Sequence, residues 1–359
     1  MFRTALTLSL ISTSFAATYT VVVIPPPSGF TGVMMSGINN SGQVAGYGTI
    51  GGATQAFVGS PSGSTLIPLP SDAWITSQGV AINASGQVAG NIVGSNARAF
   101  IGTPAGSAVI PVSAVYAAGN GINDSAQVAG SITFPEPQAF IGTPSGSVLI
   151  PTPPGGGVVG GEAVNNLGQV AGFAIPAAVV LPLPFIGTAS GSTLLPLPAL
   201  WESGVGYAVN DAGQVAGFGA NAANVDQAFI GTTAGCVAIA LPKGATTATV
   251  GLGSLNSLGV VVGQSDAGGW IWDSTNGTRL LSTLVPSGWN VTNGISISNN
   301  GLILAQASYA GGASQYVELT TSTSTPAVTP APSTLLLVLT GIALCWLWRI
   351  TAGAASIVG

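Results

Sequence analysis

Charged residues are scarce in this chain, and histidine is absent. Of 359 residues, 5 are Lys or Arg and 10 are Asp or Glu. The lack of histidine excludes Ser-His-Asp and Cys-His catalytic groups and most zinc sites. So few basic residues cannot neutralise a phosphate backbone, which excludes nucleic-acid binding. Because 47% of the residues are hydrophobic, the chain nevertheless has ample surface to bury and does not resemble a disordered polyelectrolyte.

Cysteine is nearly absent too. Cys236 lies in the body of the chain and Cys345 in an apolar stretch near its end, so the two are not expected to pair. A disulfide framework is therefore excluded, and stability must come from packing.

The N-terminus has the pattern of an export signal. Arg3 is followed by an apolar run that ends in Ser14-Phe15-Ala16, with small residues at the −3 and −1 positions of a cleavage site. This predicts a signal peptide over residues 1–17, cleaved after Ala16 or Ala17. A buried first strand or helix is the alternative interpretation.

The C-terminus changes composition twice. Residues 320–334 are Thr, Ser, Pro, Ala and Val without charge, which predicts an extended linker. Residues 335–359 form an apolar tail interrupted by Arg349. A helix continued through Arg349 to Val358 would be about 36 Å long, enough to cross a bilayer. We expect one transmembrane helix here; a buried terminal helix of the folded domain is the alternative.

The start of this tail resembles the bacterial PEP-CTERM sorting signal. The residues that carry the resemblance are Pro330, Pro332, Ser333 and Thr334, followed by the apolar segment and a basic residue. The chain departs from the pattern at Ala331, where the family has Glu, and in having one Arg in place of a terminal basic cluster. The resemblance implies processing by an exosortase-like membrane enzyme; simple anchoring in the membrane is the fallback.

Between these ends, one unit is repeated seven times. The copies are INNSGQVAG at 38–46, INASGQVAG at 82–90, INDSAQVAG at 122–130, VNNLGQVAG at 164–172, VNDAGQVAG at 209–217, and the divergent LNSLGVVVG at 255–263 and ISNNGLILA at 297–305. The spacing of about 43 residues is that of a propeller blade.

Each unit also holds four short β-prone stretches, one of them with an aromatic residue. We therefore predict an all-β fold, a seven-bladed β-propeller over residues 18–319. Its last blade would combine the N-terminal strand, Thr20 to Ile24, with the C-terminal strand, Gln315 to Leu319, which would remove open sheet edges. The alternative is an open β-solenoid.

The motif itself predicts a tight turn. Asn can bond its own backbone two residues on, and Gly accepts a left-handed conformation. Ala126 breaks the Gly pattern, so we expect strain or a different turn there. The small Val-Ala-Gly stretch favours the innermost strand of each blade.

These units resemble the HAF-type extracellular repeat, in which a His-Ala-Phe strand accompanies an Ile-Asn-x-x-Gly-Gln-Val-x-Gly turn. The turn matches in five copies, whereas Gln55, Arg98, Gln138 and Gln227 stand where the family has His. The resemblance implies an exported repeat protein without a settled biochemical role.

Three groups of residues are candidates for chemistry. We call the Asn of each motif, or Ser298 in the last copy, the repeat anchor. Trp74, Trp201 and Trp289 each stand nine residues before an anchor, so we expect them at equivalent places on one rim, either as ligand-face aromatics that stack on sugars or wedged between blades. The repeat Gln residues are expected to satisfy neighbouring polar groups. The acidic residues, including Glu162 and Glu202, are expected to be solvated loop carboxylates.

The sequence thus predicts a non-enzymatic protein of the cell surface or extracellular matrix, either membrane-anchored or released, that binds a partner such as a glycan or surface protein through propeller-face loops. No catalytic residue, cofactor or metal is expected. A carbohydrate-binding or carbohydrate-cleaving propeller is the alternative function, and easy self-association through a surface with few charges is a third.

Overall fold

The computed structural model describes residues 19–322, apart from residues 72, 135, 179 and 222. Within this part the fold is all-β, with 28 strands and one 3-10 turn at Leu281–Thr283. Gly, Pro, Asn and Ser between the short apolar stretches end each strand, which is why the chain forms a meander of hairpins.

The strands follow the repeats in order. The N-terminal strand is β1 (Tyr19–Val23), and the first repeat forms β2 (Thr31–Ile38), β3 (Val44–Ile50), β4 (Ala53–Ser60) and β5 (Gly63–Leu66). The second forms β6 (Trp74–Ile82), β7 (Val88–Gly94), β8 (Ala97–Thr103) and β9 (Gly106–Val109), and the third β10 (Tyr116–Ile122), β11 (Val128–Phe134), β12 (Gln138–Thr143) and β13 (Gly146–Leu149). The fourth forms β14 (Val158–Val164), β15 (Val170–Ile175), β16 (Leu183–Thr188) and β17 (Gly191–Leu194), and the fifth β18 (Val205–Val209), β19 (Val215–Ala220), β20 (Asp226–Thr232) and β21 (Gly235–Ala238). The sixth forms β22 (Ala248–Thr249), β23 (Val261–Ser265), β24 (Gly268–Asp273) and β25 (Gly277–Leu280), and the seventh β26 (Trp289–Ile297), β27 (Ile303–Tyr309) and β28 (Gln315–Thr321).

The sheet count corrects the predicted architecture. The chain is a β-propeller, but the prediction of seven separate blades is wrong: among the described strands, five four-stranded sheets stand alone and one sheet has eight strands. The second and third repeats share that larger sheet because Tyr116, at the start of β10, pairs in parallel with Ala97, at the start of β8.

The predicted C-terminal transmembrane helix is not supported either. Over the described part of the chain, no helix combines the length and the apolar character needed to cross a bilayer. Residues 335–359, where that helix was expected, lie outside the described residues, as do residues 1–17 and the sorting residues Pro330, Pro332, Ser333 and Thr334.

The two ends of the described chain pair in one sheet. β1 lies antiparallel to β28, with Val21 opposite Leu319 and Val23 opposite Val317. The sheet order is β1-β28-β27-β26, and β2 of the first repeat contacts β26 of the last. The terminal pairing predicted from the repeat phase is therefore present, and it leaves β28 with partners on both sides.

The first strand of a repeat lies at the axis, not the Val-Ala-Gly strand. In every repeat but the sixth, whose first strand has only two residues, the first strand contacts the first strand of a neighbouring repeat, as β2 does with β6 and β14 with β18. Each first strand runs toward the Asn turn, and we call the end of the propeller that carries these turns the turn face and the other end the opposite face. Because β28 is a third strand, it ends at the turn face, and its partner Tyr19 lies there too.

Glycine in the Val-Ala-Gly strand makes room for an aromatic ring in the same blade. Gly46 pairs with Phe57, and a Cβ on Gly46 would lie 2.5 Å from the Phe57 ring. Six repeats pair Gly with Phe or Trp in this way, whereas the last pairs Ala305 with Val317, both fully buried. The larger residue at one position is thus matched by a smaller one at the other, as close packing requires.

Candidate functional site

The repeat Asn builds each turn by satisfying its own backbone. In the third repeat, Asn123 Oδ1 accepts the backbone N–H groups of Ser125 and Gln127 at 3.1 and 2.9 Å. Asn123 Nδ2 donates to Gln127 Oε1 at 2.8 Å. The predicted Asn turn is confirmed, and the repeat Gln has the structural role that the sequence indicated. Ala126 has φ of 59°, the left-handed conformation that Gly adopts in the other turns, so the expected strain is present.

The same Asn side chains join the repeats into a ring. Each Nδ2 also donates to the backbone carbonyl of the next repeat's anchor, at 2.9 to 3.5 Å, running through Asn39, Asn83, Asn123, Asn165, Asn210, Asn256 and Ser298. Asn300 of the last turn then donates to the carbonyl of Asn40 at 2.8 Å, which returns the chain of hydrogen bonds to the first repeat. The anchors are 5% exposed or less. The seven turns are thus joined by one closed ring of hydrogen bonds, and we call the seven anchor residues and these bonds the polar girdle.

This girdle surrounds a cavity of about 190 Å³ that opens at the turn face. All seven repeats contribute to its lining, mostly through the last residues of their first strands. In β10 and β14 the register shifts between Gly119 and Gly121 and between Gly161 and Ala163. The bulged residues, Asn120 and Glu162, line the cavity. In these two strands the bulge turns the side chain out of the ladder and toward the axis.

Glu162 and Asn120 form a polar pair inside the cavity. Asn120 Nδ2 donates to Glu162 Oε2 at 3.2 Å and to the carbonyl of Gly161 at 2.9 Å. Burial raises the pKa of Glu162 from its usual 4.5 to about 7. Burial, and then the nearby charge of Glu162, also raises the pKa of Tyr207. The expectation that Glu162 is a solvated loop carboxylate is wrong, because it lies within β14 and is half-buried.

Two carboxylates and one amide lie side by side on the rim of the opening, and we call Asp124, Asn166 and Asp211 the acidic mouth. Asn166 Nδ2 donates to Asp124 Oδ2 and to Asp211 Oδ2, each at 3.2 Å. The backbone N–H of Asn166 donates to Asp211 Oδ1 at 2.8 Å, and that of Ala84 donates to Asp124 Oδ1 at 2.9 Å. These three residues occupy the position after the repeat Asn in successive repeats, so the spacing of the motif brings them together.

The cavity lining carries one sign of charge. Its ionisable residues among the described ones are Asp124, Glu162 and Asp211, with no Lys or Arg among them. The described part of the chain offers no group of three or more His, Cys, Asp or Glu side chains arranged around a metal ion. The arrangement favours binding of a positively charged hydrogen-bond donor.

The three predicted tryptophans lie at equivalent places, as their spacing predicted, but away from this cavity. Each follows a tight turn in which its backbone N–H donates to the carbonyl three residues earlier, in Ser71, Pro198 and Pro286. Each indole is half-buried. Trp201 packs edge to face against Phe229, with 6.2 Å between the ring centroids, and the ring centroids of Trp289 and Tyr309 are 5.3 Å apart. Their contacts are those of blade packing, and their role as a sugar-binding face stays a prediction.

Sequence reasoning missed the residues that face the axis. Ser36, Asn120 and Glu162 each stand three residues before the repeat Asn and line the cavity. Alignment on the Asn anchor places them in one register. The missing information was the bulge, which reverses the direction of a side chain and leaves no mark in the sequence.

No protein-family model and no curated protein matches this chain. Among solved structures, it is similar to the β-propeller domain of the Trilobed protease from Pyrococcus furiosus, described as having an open velcro topology, with 11% identity and a TM-score of 0.49 over 80% of this chain and 97% of that one. A chain from an analysis of two prolyl endopeptidases matches with 11% identity and a TM-score of 0.43 over 85% of this chain. This chain spans 50% of that one. Both neighbours come from peptidases, yet at this identity and TM-score neither match carries an argument about activity.

Proposed function

We propose that this chain is an exported, non-enzymatic propeller that binds a ligand or partner at the turn face, around the axial cavity. The observation that carries the proposal is the cavity itself, which all seven repeats line and which opens between the polar side chains of the turns. A concave site lined by a few convergent polar groups is the usual form of a binding site.

Binding, and not hydrolysis, is the function that this lining supports. The chain contains no histidine, so a Ser-His or Cys-His nucleophile cannot be assembled. Among the described residues, Glu162 accepts a hydrogen bond from Asn120 and not from a Ser, Cys or Tyr side chain. The carboxylates of the acidic mouth are held by amide N–H groups of their neighbours, which is the arrangement of a fixed recognition surface.

Location at the cell surface is part of this proposal. The support is the signal-like start of the chain, the linker and apolar tail, and the resemblance to the PEP-CTERM signal, which would make an exosortase-like enzyme and the membrane its partners. The described chain ends at the turn face, in the strand pair Tyr19 and Thr321. The proposed ligand, a glycan or a surface protein, would then bind at the same end of the propeller as Tyr19 and Thr321.

A binding and turnover screen tests the function. The purified protein is applied to glycan, peptide and small polar solute panels and, in parallel, to fluorogenic peptide and glycoside substrates. We expect binding without turnover, weakened at least about tenfold by the pair Asp124→Asn and Asp211→Asn, which removes two charges at the mouth. The matched pair Glu136→Gln and Asp226→Asn removes two exposed charges at the opposite face and is expected to bind as the wild type does.

Two results would overturn the proposal. One is substrate turnover that Glu162→Gln abolishes, which would assign an enzyme. The other is binding that only the opposite-face pair, or Trp74→Ala, weakens, which would move the site to the rim of tryptophans.

A further inference from the structure

We propose that the axial cavity selects a primary ammonium group, presented by a small aliphatic amine or by a lysine side chain. This inference rests on the proposed function and adds the chemical class of the ligand. Its support is the hydrogen bonding within the cavity, the charges that line it and the position of the amide groups between the carboxylates.

The cavity has a surplus of acceptors. An ionised carboxylate offers about four lone-pair sites. The hydrogen bonds within the described protein use two of these sites at Asp124, two at Asp211 and one at Glu162. Meanwhile the neighbouring amide donors, Asn120 Nδ2 and Asn166 Nδ2, are directed to the carboxylates. A ligand that complements the remaining sites must therefore donate hydrogen bonds.

The charge and the depth of the cavity favour a cation that is small. Glu162 lies on a first strand and the acidic mouth lies on the turns that follow such strands, so acceptors are available at two levels of one opening. An ammonium group has three donors and no acceptor. A cation placed between Glu162 and the mouth would offset the burial of this carboxylate, whose hydrogen bond from Asn120 is 3.2 Å long.

A divalent metal ion fits this lining less well than an amine. Calcium takes six to eight oxygen ligands, but the amide hydrogens of Asn166 lie between the carboxylates of Asp124 and Asp211. Those hydrogens would face a metal ion that bridged the two carboxylates. An ammonium group needs only the acceptor sites that the protein's own hydrogen bonds leave free.

The pH dependence supplies a signature. Burial raises the pKa of Glu162 to about 7, so this carboxyl is mainly neutral at pH 6 and mainly charged at pH 8. Of the groups that face it, Tyr207 has a pKa raised above 10 and stays neutral over this range, Asn120 does not titrate, and Asp124 and Asp211 line the same cavity nearer the mouth. Amine binding should therefore strengthen about tenfold from pH 6 to pH 8, following the ionised fraction of Glu162.

The test is titration calorimetry on the full-length protein with four probes. 1,4-Diaminobutane and N-acetyl-lysinamide present the ammonium group as a free amine and as a lysine side chain. 1,4-Butanediol is the neutral analogue of the first, and succinate is an anion of similar length. We expect one or both amines to bind, with the tenfold gain from pH 6 to pH 8, and neither the diol nor succinate to bind.

Two variants distinguish binding of the amine in the cavity from general electrostatic attraction of the amine to an acidic protein. Glu162→Gln keeps the shape and removes the charge, and it should weaken amine binding at pH 8 at least about tenfold and abolish the pH dependence. Glu202→Gln removes an exposed charge at the opposite face and should change neither. Equal loss in the two variants would overturn the inference, since it would show non-specific attraction.

The outcomes also distinguish this inference from the proposed function. If the diol or a glycan binds and the mouth pair Asp124→Asn and Asp211→Asn weakens it, the binding function stands and the ammonium class is wrong. If no probe and no panel member binds at the turn face, both proposals fail.

Discussion

Replacing Gly46 by alanine is expected to lower the free energy of unfolding by about 3 kcal/mol, the scale of a buried steric clash. The added Cβ would lie 2.5 Å from the Phe57 ring and 2.6 Å from the carbonyl oxygen of Met34. Because Phe57 is fully buried, its ring cannot swing into solvent. Chemical denaturation of the wild type and the variant measures the loss.

A second substitution should return part of this stability. The last repeat already pairs alanine with valine at the equivalent positions, Ala305 and Val317. We therefore expect Gly46→Ala with Phe57→Val to cost less than the two single variants added together, with a coupling of about 1 kcal/mol or more. Gly191→Ala is the matched control, because nothing lies within 4 Å of a Cβ there. Simple additivity of the two changes would refute the packing argument.

Replacing Glu162 by glutamine is expected to stabilise the protein by about 3 kcal/mol at pH 8 and to leave its stability nearly unchanged at pH 4. The folded protein raises the pKa of this carboxyl from 4.5 to about 7, and each pKa unit corresponds to about 1.4 kcal/mol. Between these two values the folded state holds more protons than the unfolded state. The free energy of unfolding of the wild type therefore falls as the pH rises from about 4.5 to 7, and it stays at the lower value above pH 7. The glutamine variant has no carboxyl at this position and does not show this fall.

Denaturation of the wild type and the variant at pH 4 and pH 8 tests this sign. Glutamine keeps an oxygen that can accept from Asn120 and removes only the charge, so packing is conserved. Glu202→Gln, an exposed carboxylate on a different surface, should show no such difference. A variant that is less stable than the wild type at pH 8 would mean that Glu162 is held by a favourable charge interaction instead of being strained by burial.

The sequence predicts the repeat, the turn and the joining of the ends because these depend on local chemistry and phase. Asn123 and its equivalents must close a tight turn wherever the motif occurs, and the incomplete last unit needs a strand that only the N-terminus supplies. The number of separate sheets depends instead on backbone pairing between neighbouring repeats. One backbone pair between Tyr116 and Ala97 merges two repeats, and nothing in the side chains of the motif indicates it.

The prediction for the inner strand failed for a related reason. Small residues in Val-Ala-Gly indicate crowding, and the strand is crowded, but by the aromatic ring of the same repeat and by the first strand of the next repeat. Gly46 of β3, for example, approaches Gly79 of β6 so closely that a Cβ on Gly79 would lie 2.8 Å from the carbonyl oxygen of Gly46. Composition thus shows that a position is tight without showing which neighbour makes it so.

The candidate site was the least predictable part. The acidic mouth follows from the repeat register, since Asp124 and Asp211 occupy the same turn position. Glu162 could not be placed by this reasoning, because a bulge between Gly161 and Ala163 decides that it faces the axis. For the three tryptophans, the spacing correctly predicted equivalent positions in the repeat. The spacing could not show that each indole is half-buried against its blade.

The central claim is that the chain closes on itself through β1 and β28, and a cross-link tests it most directly. Thr20 lies opposite Thr320 in this pair. In a protein with Cys236→Ser and Cys345→Ser, the changes Thr20→Cys and Thr320→Cys should form an intramolecular disulfide, seen by peptide mass, and raise the free energy of unfolding by about 2–4 kcal/mol. Thr20→Cys paired with Ser190→Cys, in the fourth repeat, should remain reduced. If the cysteines at positions 20 and 320 stay free, or link only between molecules, the ring is not closed in this way.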